Sequence, residues 1–162
     1  MELKTHSPEW EKLFGQEKKL LTKILGEELV DVQHVGSTAI PNIKSKPIID
    51  IAIFVKNFED KNFFTKKLEE LGYKYSKEKS STERHFFTKE NSIKYYLSIA
   101  NPKTSFFQRQ TAFRDYLINH PEKAKEYEKI KEKLIKKFPS GKDKYSHGKS
   151  EFVKQVLRDL NF

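Results

Sequence analysis

In the segment His34-Val35-Gly36-Ser37-Thr38, a glycine and two hydroxyl side chains follow a valine-rich run, and twelve residues beyond Thr38 stands Asp50, between Ile49 and Ile51. A Gly-Ser turn at the end of a strand lets backbone N–H groups approach an anion closely, and Ser and Thr hydroxyls add donors. A carboxylate inside an apolar strand is costly to bury unless it is paired or bound to a cation. Together these parts can hold a nucleoside triphosphate through its phosphates and one Mg²⁺ ion. Gly36, Ser37 and Thr38 are therefore candidate phosphate contacts, and Asp50 is the candidate metal ligand and catalytic carboxylate. Lys46, Arg84, Arg114 and Lys149 are candidate phosphate-neutralising cations, the arginines through bidentate bonds. Each has a plainer alternative. Asp50 can instead hold the Gly36-Ser37-Thr38 backbone, Arg114 can pair with Asp115, and a loop lysine such as Lys46 can simply be solvated. His34 reads as a packing or hydrogen-bonding residue beside the loop rather than a general base.

The elements that must position these residues are legible from pattern. Ser7 suits an N-cap and Pro8 the first helical position, and Trp10, Leu13, Phe14, Leu21, Ile24 and Leu25 recur at helical spacing up to a stop at Gly26. Residues 29–35 read as a strand. Residues 47–55 form a near-continuous apolar run, the pattern of a central strand covered on both faces. A helix is expected from about Asp60 to Leu71, ended by Gly72. A short strand at 73–77 and a hairpin of 84–89 with 93–100 follow. Three helices then carry Phe106 to Leu117, Ala124 to Phe138, and Phe152 to Leu160, with a break at Asn119-His120-Pro121 and Ser150 as cap of the last. The expectation is an α/β (α+β) fold in a single domain over residues 1–162. Residues 1–101 make a small mixed sheet flanked by helices, and residues 102–162 a helical C-terminal part.

Residues 34–51, His-Val-Gly-Ser-Thr-Ala-Ile-Pro-Asn-Ile-Lys-Ser-Lys-Pro-Ile-Ile-Asp-Ile, resemble the nucleotidyltransferase superfamily and, more narrowly, the GrpB family, also called UPF0157. Trp10 and Phe14, the block Ala112-Phe113-Arg114-Asp115-Tyr116-Leu117 with His120-Pro121, and Tyr145 with Gly148, Lys149 and Phe152 extend the resemblance over nearly the whole chain. It implies a nucleotidyltransferase fold, possession of a nucleoside triphosphate or other phosphorylated small molecule as ligand, Mg²⁺ as cofactor, and nucleotidyl transfer to an acceptor the sequence does not name. The chain departs from the superfamily pattern of paired carboxylates, which clamp two metal ions. Strand alternation puts residue 52 on the face of Asp50, and it is Ala52. Residues 94–99 carry no carboxylate and show Tyr96 and Ser98 where the family commonly has His-x-His. Asp31 and Glu90 are conceivable substitutes. The departure leaves a second reading open: an accessory protein that binds a nucleotide or phosphate ligand without turnover.

Composition narrows the rest. The 162 residues include no Cys, which excludes thiolate nucleophiles, disulfides and Cys-ligated zinc. The net charge is +9, and residues 101–162 hold 15 Lys and Arg against 8 Asp and Glu, so the excess sits late in the chain. A basic surface attracts phosphates of any kind. Nucleic acid is set aside, because the late lysines alternate with glutamates and no aromatic-basic platform stands out. Gly148-Lys149-Ser150 resembles the end of a P-loop, but Asp143 stands where that motif needs glycine. No apolar run approaches a membrane span and the N-terminus lacks a signal-like apolar region, so the expected partner is a small molecule, not a membrane, and the expected location is cytoplasmic.

Overall fold

The computed structural model describes residues 2–162. Helix α1 (Pro8–Leu25) begins as its sequence predicts, with the Ser7 hydroxyl accepting from the Glu9 N–H, and the chain leaves it at Gly26 with φ +56°. Strands β1 (Leu29–Val35) and β2 (Ile48–Val55) follow, then α2 (Lys61–Glu69), β3 (Lys74–Tyr75), β4 (Arg84–Glu90) and β5 (Lys94–Ala100). Three helices complete the chain: α3 (Phe106–Asn119), α4 (Pro121–Lys137) and α5 (Lys142–Asp159). The five strands form one mixed sheet in the order β1-β2-β5-β4-β3. The β2–β5 pair is parallel and the other pairs are antiparallel.

Alternation along β2 divides its work. Ile49, Ile51, Ile53 and Val55 point into the main core, where Trp10, Leu21 and Leu25 of α1, Phe64 and Leu68 of α2, and Leu97 and Ile99 of β5 meet them. Asp50, Ala52 and Phe54 face the other way, in register with Tyr96, Ser98 and Ala100 of β5. The C-terminal helices partly cover this second face. Phe107 of α3 packs edge-on against Phe54, with ring centroids 5.5 Å apart. A second apolar cluster joins the helices to the loop after β1 through Ile40, Ile43, Leu117, Ala124 and Tyr127.

One helix start differs from expectation. Ser150 is not a cap: it lies inside α5, its hydroxyl donating to the His147 carbonyl at 2.7 Å, and the helix begins eight residues earlier after Gly141. Glycine at 148 is tolerated mid-helix because α4 crosses there. A Cβ on Gly148 would lie 2.4 Å from Leu134 Cδ2, so the missing side chain is what lets the two helices approach.

Candidate functional site

The second face of the sheet is open beyond α3, and a cleft of about 250 Å³ lies there. Ser37 and Thr38, Lys46, Ile48 and Asp50, Arg84 and Phe86, Tyr96, and Tyr145 and Lys149 line it, together with Lys79 and Ser146. Six residues singled out from sequence thus converge, although they come from β2, β4, α5 and the loop between β1 and β2.

Gly36 fixes the depth of the cleft. Its φ is +73° and its ψ −176°, a conformation open essentially to glycine alone. A Cβ at this position would stand 2.3 Å from Asp50 Oδ2 and 2.9 Å from both Cβ and Cγ of Asp50. The Gly-Ser turn and the strand carboxylate are therefore a single packed unit. Burial pushes the Asp50 carboxyl up to about 6, against the opposing pull of Lys149, Arg84 and Lys46. Burial likewise brings Lys46 down to about 8, with Lys149 adding to the shift and Asp50 opposing it.

The cations are held by the surrounding structure. Arg84 donates from Nη1 to Ser98 Oγ at 3.0 Å and from Nε to the Lys79 carbonyl at 3.2 Å. Its guanidinium lies 4.4 Å from the Phe86 ring centroid. Ser98 is registered with Ala52, so a fixed cation reaches over the row where the superfamily pattern places its second carboxylate. Lys46 and Lys149 both lie over the buried Tyr145 ring, at 4.1 and 4.7 Å. Lys79 reaches over Tyr96 at 5.8 Å. It escaped sequence reading because it sits in a polar loop, and only the fold of that loop over β4 brings it to the cleft.

Two of the expected contacts are otherwise engaged. Thr38 lines the cleft, but its hydroxyl donates to the Ile48 carbonyl at 2.9 Å and lies 3.0 Å from His34 Nε2. With its proton committed to Ile48, the Thr38 oxygen can only accept from His34, which places the imidazole proton on Nε2. Burial, Arg114 and His6 together hold His34 down to about 4, so the ring is neutral, and it stacks on Phe14 at 4.9 Å. Arg114 lies outside the cleft. It donates to Gln33 Oε1 at 2.8 Å and to the His34 carbonyl at 2.9 Å, and it pairs with Asp115. Its guanidinium fastens α3 to β1, because α3 lies over β1 rather than over the open end of the sheet. The conceivable carboxylate substitutes are also elsewhere. Asp31 accepts from Gln33 in register with Phe54, and Glu90 is at the far, exposed end of β4.

The loop that carries Lys46 is fastened to α4. Lys125 donates to the Asn42 carbonyl and Lys131 to the Lys44 carbonyl, both at 2.7 Å, and Glu128 accepts from the Lys44 N–H. Lys131 is fully buried, and burial with the nearby Lys149 brings it down to about 7.

The family model described as "GrpB protein" matches residues 1–159. The chain belongs to the GrpB family. The glutamate-rich protein GrpB of Alkalihalophilus pseudofirmus is 37% identical over 98% of this chain and 94% of its own length. The UPF0157 protein YqkA of Bacillus subtilis is 33% identical over 95% of this chain, which spans 45% of that longer protein. The crystal structure of GrpB from Enterococcus faecalis superposes with a TM-score of 0.87 at 29% identity, covering 99% of this chain and all of the other. A more distant likeness is to a Cid1 poly(U) polymerase solved with MgATP, with a TM-score of 0.50 and 12% identity over 79% of this chain and 45% of that one. At that identity the likeness concerns the fold alone, which is nucleotidyltransferase-like. No helix among the described residues is long and apolar enough to cross a membrane.

Proposed function

We propose that this GrpB protein binds the phosphate groups of a nucleotide or another phosphorylated small molecule in the cleft, without two-metal nucleotidyl transfer. One observation carries the reading. Asp50 is the single acidic side chain lining the cleft among the described residues, and it faces Lys46, Lys79, Arg84 and Lys149. Two-metal transfer needs several carboxylates to offset two divalent ions and hold them about 4 Å apart. Here the excess charge is already positive and already fixed, which suits an anion directly. Arg84 from β4 and Lys149 from α5 both line the cleft, Ser37 adds a hydroxyl, and Gly36 keeps Asp50 against the turn.

A second reading is favoured by the Asp50 carboxylate packed beside the Gly-Ser turn: Mg²⁺-dependent transfer through one ion. The donor set fits a single Mg²⁺, held by Asp50 with ligand phosphates and water completing its shell, and no more. Bound there, the ion would polarise a phosphoryl oxygen.

Calorimetry separates the two. With inorganic pyrophosphate in EDTA, the binding reading expects measurable affinity. It also expects about a tenfold loss in each of Arg84→Ala and Lys149→Ala, and equal or tighter binding in Asp50→Asn. Binding that requires Mg²⁺ and vanishes in Asp50→Asn overturns it in favour of the second reading.

A further inference from the structure

Thr38 also lines a second cavity, of about 390 Å³, which has no other residue in common with the cationic cleft. It lies between α1, β1 and α3, with His6 and the loop after β1 closing it. Phe14, Val32, Ala39, Pro41 and Ile118 make one side apolar, and Ile118 is a large apolar side chain left exposed. Glu11 and Lys18, both exposed on α1, add one charge of each sign. The more buried polar groups, Gln33, His34 and Arg114, set the chemistry. Gln33 is satisfied, donating to Asp31 and accepting from Arg114. A guanidinium carries five N–H donors. Arg114 uses both of Nη1, on Gln33 Oε1 and the His34 carbonyl, and that of Nε, on Asp115. Among the described residues its Nη2 donates to none. The His34 ring is nine-tenths buried, and its Nε2–H is engaged by Thr38. Burial, Arg114 and His6 keep the ring neutral, so Nδ1 retains a lone pair, and it accepts from none of the described residues.

We infer that this cavity is a separate site for a small carboxylic acid that carries an amino or hydroxyl group beside its carboxylate and a short apolar side chain. Buried polar groups are rarely left unpaired, and here a pair of donors and an acceptor border the same space. A carboxylate takes the two Arg114 Nη2 donors, the planar geometry a guanidinium suits best. The neighbouring amino or hydroxyl group donates to His34 Nδ1. The side chain lies on Phe14, Pro41 and Ile118. A polyanion is a poor match, because Asp115 already pairs with Arg114 and Glu11 offsets Lys18. A purely apolar ligand leaves both polar groups unpaired. The volume suits a ligand of this size, since small-molecule sites commonly measure about 300–1,000 Å³ and combine an apolar lining with a few placed polar groups. The inference does not depend on the phosphate reading, because the two cavities present different side chains.

The test uses L-leucine, leucic acid and isocaproate, which share one carbon skeleton and carry an amino group, a hydroxyl group and neither. Calorimetry in EDTA compares them on wild type and on two variants. Arg114→Lys keeps the charge and loses the fork. Ile118→Trp, at an exposed position, fills the cavity without touching the core, and it decides the matter if Arg114→Lys does not fold. Leucine or leucic acid should bind about tenfold tighter than isocaproate, the scale of one buried hydrogen bond. Whichever is tighter tells an amino acid from a hydroxy acid. Both variants should weaken that binding about tenfold or more. Heteronuclear NMR should show the His34 Nδ1 signal moving as the ligand is added. If neither leucine nor leucic acid binds, if isocaproate binds as tightly as both, if binding persists in Ile118→Trp, or if the Nδ1 signal stays in place, the inference is overturned. The phosphate reading stands or falls separately, on Arg84 and Lys149.

Discussion

Placing one methyl group on Gly36 tests how the cleft is built. Gly36→Ala puts a Cβ 2.3 Å from Asp50 Oδ2 and 2.9 Å from two further Asp50 atoms, with φ at +73°. The backbone conformation alone costs an alanine about 1–3 kcal/mol. Relieving the overlap requires either Asp50 or the turn to move, so the total should reach about 3 kcal/mol. For a chain of this length that lowers Tm by about 6–12 °C. Urea and thermal unfolding measure it directly. A second substitution identifies the cause. Asp50→Ala removes Oδ2 and Cγ but keeps Cβ, so in the double variant part of the steric cost disappears while the backbone cost remains. The cycle should therefore show a coupling of about 1 kcal/mol or more. Gly15→Ala is the control. It sits within α1 with nothing within 4 Å of an added Cβ, and should gain about 0.5–1 kcal/mol through helix propensity. Gly36→Ala within about 0.5 kcal/mol of wild type, or a double-variant coupling near zero, would refute the account of the turn and carboxylate as one packed unit.

Other outcomes follow from the same contacts. Asp50 is raised from 3.8 to about 6, so its contribution favours the folded protein most below pH 4 and is lost as the pH rises through about 6. Asp50→Asn should therefore raise Tm relative to wild type at pH 8 and not at pH 3.5. His34 is lowered from 6.5 to about 4, the reverse case: stability falls as the pH drops from 6.5 toward 4, and His34→Gln should flatten that part of a Tm-against-pH profile. Lys89 and Glu17 form a buried pair beneath Tyr73, whose hydroxyl donates to Glu17 at 2.9 Å. Lys89→Met should cost about 3–5 kcal/mol in urea unfolding by stranding the glutamate, and a Glu17→Leu companion should restore much of it. Arg114→Ala should lower Tm while leaving pyrophosphate affinity within twofold, because its guanidinium binds Gln33 and the His34 carbonyl rather than the cleft.

Much of this architecture is readable in the residues themselves. The Ser7-Pro8 start of α1, the apolar run of β2 and the Glu90-Asn91-Ser92 turn are local signals, and local geometry follows them. What misled was contact between distant segments. Ser150 has the chemistry of a cap, but the crossing at Leu134 favours glycine within a continuous helix, so α5 starts earlier. Thr38 has the hydroxyl a phosphate would use, yet the carbonyl of Ile48, ten residues away, takes its proton. Arg114 and Lys149 look alike as late basic residues. Only the packing of α3 over β1 and of α5 beside the open sheet separates a helix anchor from a cleft wall. Ala52 leaves the row beside Asp50 without a second carboxylate, and the fold instead brings the Arg84 guanidinium onto Ser98, its neighbour in register.

The placement of Tyr145 and Lys149 on α5 also bears on how the protein comes into being. As the chain is synthesised, Gly36, Asp50, Arg84 and Tyr96 leave the ribosome well before α5 does, and domains tend to acquire structure from the N-terminal side. The sheet can pair its strands at that stage, but one wall of the cleft is still being translated. On the phosphate-binding reading proposed above, ligand capture is deferred until the helices have docked. A bound anion would then stabilise only the finished arrangement, a latch on the completed protein that gives no foothold to a nascent one.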